Sequence, residues 1–128
     1  MRIQAILLAL GVITAPAAFA ADHPGKAVFD RTCVMCHAPG GAGMPGVFPP
    51  LAKSDYFQKS TPAHVVQIVD KGLQGEVTVN GQKYNNIMPP QNLSDADAAA
   101  VINYVSEVLN AGKPLVQPAH MPKLKAGQ

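Results

Sequence analysis

Only two cysteines occur in this chain, and they sit in one short run: Cys33-Val34-Met35-Cys36-His37. On a helix, positions three apart are neighbours on one face. Both thiols therefore leave one turn, and an imidazole follows directly. This C-x-x-C-H spacing is that of covalent haem c attachment, with the thiols in reach of two vinyl groups on one haem edge and His37 under the iron. A redox dithiol would want a βαβ context, which the surrounding sequence lacks. A zinc site would need further ligands, and no cysteine remains to supply them. A disulfide between Cys33 and Cys36 is the other pairing open to the two thiols. The haem reading constrains the fold most, because the chain must then wrap a large, flat, apolar plate.

The first twenty residues read as an export signal. Arg2 gives a positive start, residues 3–13 are apolar but for Gln4, and Ala18-Phe19-Ala20 fits the small-residue cleavage pattern. Cleavage after Ala20 would leave residues 21–128 as one haem domain, soluble and periplasmic. The alternative is an uncleaved anchor. No later run approaches the roughly 17–25 residues that a membrane span needs. The remaining nine basic and eight acidic residues nearly balance and form no run of like charge. Nucleic-acid binding has no electrostatic footprint here.

Twelve prolines and eleven glycines imply long irregular segments between a few helices. A first helix is expected over residues 24–36, with Pro24 near its start and Asp22 as cap. Gly25 and Phe29 fall on one face of it. Residues 38–52 are too rich in Gly and Pro for a helix, and read as a loop anchored by Met44, Phe48 and Leu51. A short helix over 54–59 and a second opened by Thr61-Pro62 and closed by Gly72 come next. Asn80-Gly81 between β-prone runs marks a hairpin within residues 76–84. A last helix opens at Ser94, carries Val101, Ile102, Val105, Val108 and Leu109 on one face, and stops at Gly112. The tail, 113–128, has three prolines and is expected to run extended. The fold class is therefore all-α, with three or four helices around one haem and a small β-hairpin ahead of the ligand loop.

A second axial ligand has several candidates: Met44, Met88, Met121, His23, His64 and His120. Met35 lies between the thiols and points wrongly. Met44 follows His37 by only seven residues, a short path around a macrocycle, and suits loop packing better. His64 falls in the first turn of a helix, on the solvent side. Met88 precedes Pro89-Pro90, which stiffens its loop, and is the favoured candidate. A thioether opposite an imidazole raises the reduction potential and fills the coordination sphere.

These residues resemble the class I cytochrome c family over nearly the whole exported chain. The attachment motif lies near the exported N-terminus. Gly25, Phe29 and Tyr104 fall where that family crosses its first and last helices. Pro49-Pro50-Leu51 matches its Pro-x-Leu, and Met88-Pro89 its Met before Pro. The resemblance implies that the Pro49 carbonyl accepts from the His37 ring, that Leu51 packs on haem, and that His37 and Met88 ligate iron. A narrower likeness, in residues 43–52 and 79–90, is to bacterial cytochrome domains fused to copper nitrite reductases or serving periplasmic dehydrogenases.

The function so implied is one-electron transfer rather than catalysis. The protein would act as a periplasmic carrier or as the cytochrome subunit of a larger oxidoreductase. Its partners would be redox proteins such as a copper nitrite reductase, a dehydrogenase or a terminal oxidase. A haem enzyme or gas sensor with a displaceable sixth ligand is the alternative. A structural protein holding a Cys33–Cys36 disulfide is a third reading.

Overall fold

The computed structural model describes residues 22–128, so the expected export signal lies outside the described residues. Six α-helices and one two-stranded hairpin are described, in the order α1 (Pro24–Thr32), α2 (Val34–His37), α3 (Asp55–Lys59), α4 (Pro62–Lys71), β1 (Val77–Val79), β2 (Gln82–Tyr84), α5 (Asp95–Tyr104) and α6 (Met121–Lys125). The fold is the mostly helical one expected, with the hairpin in place.

The central packing is α1 against α5. Gly25 makes it possible: a Cβ at this position would collide with the Ala100 carbonyl and Tyr104 Cβ. With no side chain there the helices close, and Phe29 meets Tyr104 with ring centroids 5.4 Å apart. Val28, Phe29, Val66, Ala98 and Ile102 complete a buried core. The cap of α1 is His23 rather than Asp22. Its Nδ1 accepts from Gly25 N at 3.1 Å while Nε2 donates to Glu107 at 3.0 Å, so one ring caps the first helix and ties it to the end of the last.

The expected first helix is interrupted. Cys33 takes a widened conformation (φ −102°, ψ −30°) between α1 and α2, although its N–H still reaches Phe29 O. Ala38 ends α2 with φ 62° and ψ 163°, a region that in practice belongs to glycine. Caps elsewhere follow the sequence: Ser54 on α3, Thr61 on α4 and Ser94 on α5 each accept from an N–H three residues on.

Two expectations are corrected. The last helix is α-helical only to Tyr104, and residues Val105–Leu109 form a π-helical turn. The Asn110 side chain donates to the Val105 carbonyl at 2.8 Å, taking an acceptor that regular helix would have used. The tail is extended only at first, then forms a 3₁₀ turn (Pro118–His120) and α6. Its apolar residues decide this: Val116 and Met121 are buried in the main core, and Asn103 holds the approach by bonding Leu115 N, Val116 N and Val116 O. Proline at the second position of α6 starts a helix rather than preventing one.

Candidate cofactor site

The elements enclose a cleft of about 120 Å³, partly open to solvent. Its walls come from much of the chain: Cys33 and His37 from the motif, Pro49 to Leu51 from the loop, Phe57, Val65, Ile68 and Val69 from α3 and α4, Val77 and Val79 from β1, Leu93, Val101 and Ile102 from α5, and Val105 just after it. A two-stranded hairpin is marginal alone, and here β1 rests on that cleft. Such a lining suits a large apolar group and would be a poor place for a solvated one.

His37 is buried, and its Nδ1 lies 2.8 Å from the Pro49 carbonyl oxygen. A carbonyl can only accept, so Nδ1 carries the hydrogen and Nε2 keeps its lone pair. This is the arrangement that fixes a metal-binding imidazole. Burial lowers the pKa of His37, opposed by the Pro49 bond, and the net effect favours the neutral ring a metal requires. The loop that presents Pro49 is folded back by its own backbone: Gly43 N donates to His37 O at 2.7 Å, and Leu51 N and Ala52 N both donate to Gly41 O.

Cys33 lines the cleft, while Cys36, one turn on, is half-buried and is not among the lining residues. The two thiols are not joined. Burial, and then the neighbouring Cys36, push the Cys33 thiol up to about 11. A redox dithiol needs a lowered thiol pKa, so the dithiol reading loses support. The zinc reading does too, since no group of three His, Cys, Asp or Glu side chains could hold a metal among the described residues.

The candidate second ligands separate cleanly. Met88 lines the cleft. Its backbone forms a two-way bridge with Leu73 (2.9 Å each way), and Gln91 N donates to Val69 O, so its loop is pinned to the end of α4. Gly72 permits this approach: with φ +82°, it leaves room that a Cβ would fill against the Met88 carbonyl and the Pro89–Pro90 backbone. The other candidates stand elsewhere. Met44 is on the surface, Met121 is in the core behind α4, His23 caps α1, His64 bonds Tyr56 Oη at 2.9 Å, and His120 is exposed in the tail. Among the described residues, His37 and Met88 are the His and Met side chains on the cleft wall.

Sequence reasoning missed Asn110. Its side chain donates to Leu51 O, accepts from Ser54 N, and also donates to Val105 O. One amide thus clasps the end of the cleft loop to the last helix. Nothing local in the sequence marks it, since a polar residue after a helix reads as an ordinary stop.

Comparison with known proteins agrees with this architecture. The family profile described as Cytochrome c matches residues 23–108. The chain is 36% identical over 78 residues to cytochrome c-552 of Thermus thermophilus, covering 58% of this chain and 60% of that protein. A second cytochrome c-552 of the same species is matched over 53% of its length, so the chain spans little more than half of these relatives. It is 29% identical over 82 residues to cytochrome c2 of Rubrivivax gelatinosus, covering 64% of this chain and 93% of that one. An apolar cleft, a buried imidazole with its Nδ1 already engaged, and a thioether lining the same cleft all fit the haem c of that family. The chain belongs to the cytochrome c family, as a class I c-type cytochrome with one covalently attached haem c.

Proposed function

We propose that this protein is an exported one-electron carrier, in which Cys33 and Cys36 would hold haem by thioether bonds and His37 and Met88 would ligate its iron. Bound haem c supplies an iron that cycles between Fe(III) and Fe(II). The chain's own residues do the rest. The Pro49 carbonyl orients the His37 ring, Leu51 would pack on the cofactor from the cleft wall, and the Leu73 bridge holds Met88 in place. Aliphatic side chains exclude water, so the surroundings reorganise little when charge changes. The observation that carries this reading is that His37 and Met88 line the same apolar cleft.

With both His37 and Met88 as ligands, the iron would have no open position, which would favour electron transfer over substrate binding. The test is addition of carbon monoxide to the reduced protein at neutral pH. The expected result is an unchanged spectrum. Rapid stoichiometric binding would instead favour the enzyme or sensor reading.

The pattern of residues 1–20 supports export, and no helix among the described residues is long and apolar enough to cross a membrane. The exported protein is expected to begin at Ala21, with residues 21–128 as the cytochrome domain; an intact-mass measurement on secreted material reads this directly. The likeness of residues 43–52 and 79–90 to cytochrome domains of nitrite reductases and dehydrogenases supports a redox protein as donor or acceptor, whether a copper nitrite reductase, a dehydrogenase or a terminal oxidase.

A further inference from the structure

The segment that carries Met88 runs from Gly72 to Ser94 and has two stems, the end of α4 and the start of α5. One side chain from far along the chain touches both. Lys125, the last residue of α6, places its Nζ 3.2 Å from Asp70 Oδ1 and 2.7 Å from Asp95 Oδ1. Asp70 is the last residue but one of α4, and Asp95 is the first of α5. The ammonium therefore sits across the base of the whole ligand segment. Asp95, and then Asp70, raise the pKa of Lys125, which keeps it charged.

The tail is anchored where this contact needs it. Met121, one turn before Lys125 on α6, is buried. Val69 and Leu93 line the small crevice shared with Met121 and Lys125, and they also line the cofactor cleft. The same stretch of α4 fastens the ligand loop: Val69 O accepts from Gln91 N, and Leu73, three residues after Asp70, bridges Met88 in both directions. The segment itself has little of its own to hold it. Of residues 73–93, Val79 and Tyr84 are the buried ones.

We propose that Lys125 is a positioning residue for Met88: by bridging Asp70 and Asp95 it holds the stems of the ligand segment together and limits how often the thioether leaves the iron. The proposal rests on the reading of Met88 as axial ligand and adds what restrains it. A lone exposed ion pair contributes little. Here, however, one cation lies between two carboxylates. Its removal leaves like charges facing each other across the stems, and their repulsion opens what the ammonium closed. The opening is local, because a segment with few buried apolar contacts opens more readily than the helices that carry the core.

The test uses the haem-loaded protein and reads two quantities. One is the rate at which excess cyanide binds the oxidised iron, which requires the sixth position to open. The other is hydrogen exchange at the Leu73 and Met88 amides, which requires their bridge to open. Lys125→Met is expected to speed both by roughly three- to tenfold. Lys125→Arg keeps a cation able to reach both carboxylates and is expected to match the parent. Adding Asp70→Asn to Lys125→Met removes the repulsion and is expected to recover most of the loss. Lys26→Met, which breaks an exposed pair within α1, is expected to change neither quantity. A Lys125→Met protein that behaves like the parent would overturn the proposal. So would a double variant no slower than Lys125→Met, or exchange that rises equally at the amides of α1, which would make Lys125 a contributor to global stability alone. Rapid cyanide binding by the parent would instead count against Met88 as ligand, and exchange at the two amides would then still decide whether Lys125 clamps the segment.

Discussion

At the scale of single residues, backbone geometry at Gly25, Ala38 and Gly72 sets how closely the site can be assembled. Gly25→Ala pushes a methyl into the Ala100 carbonyl, and thermal or denaturant unfolding should show a loss of about 1–3 kcal/mol, the usual cost of overpacking. Gly72→Ala adds both a left-handed strain and a collision with the Met88 carbonyl. It should cost roughly 1–3 kcal/mol of stability and weaken the Met88 spectral signature as well, which Gly25→Ala should not. Ala38 is the opposite case. A non-glycine residue stands at φ 62°, ψ 163°, so Ala38→Gly should gain about 1 kcal/mol without altering the spectrum. An Ala38→Gly protein no more stable than the parent would mean that its surroundings, rather than its Cβ, set that conformation.

At the scale of elements, caps, hairpin and apolar stripes were legible because each is written within a few residues of chain. Thr61-Pro62, Ser94 and Asn80-Gly81 carry local signals, and α4, α5 and the hairpin begin or turn at those points. What was not legible depends on contacts made far along the chain. The π turn at 105–109 follows from Asn110 reaching Leu51, fifty-nine positions away. The helix in the tail follows from burial of Met121, and the choice of His23 over Asp22 as cap follows from Glu107. The hairpin also has a long-range clasp: Asp55 N donates to Asn80 Oδ1 at 2.9 Å, and Asn80 N to Asp55 Oδ1 at 2.7 Å. The Asn80 bond, followed by Lys59, holds the Asp55 carboxyl below its ordinary value of 3.8. A carboxyl depressed on folding adds stability above that ordinary value, and the gain disappears as pH falls through the lowered one. Unfolding measured across the acid range should therefore lose part of its pH dependence below about pH 4 in Asp55→Asn.

At the scale of the whole molecule, the attachment motif, the Gly- and Pro-rich loop, α3, α4, β1 and α5 all line one cleft, so the irregular segments pack on the same space as the helices. Even the tail belongs to the body. Met121 is 1% exposed, and Met121→Ala should cost about 2–5 kcal/mol while leaving the cofactor's spectrum intact. The site residues were named from the motif, from the stiffness of Met88-Pro89-Pro90 and from likeness to a family, and the structure brings Cys33, His37, Pro49, Leu51 and Met88 around one cavity. What the sequence left open was the choice among scattered methionines and histidines, because the path from residue 37 to residue 88 is a tertiary matter. The central claim is that His37 and Met88 together close the two axial positions of a covalently held haem. The measurement that tests it most directly is the far-red optical spectrum of the oxidised protein beside that of Met88→Ala. The account predicts a weak sulfur–iron band in the parent that is absent from the variant, together with a lower reduction potential in the variant. The same band persisting in Met88→Ala would contradict the account and return the ligand to Met44 or Met121.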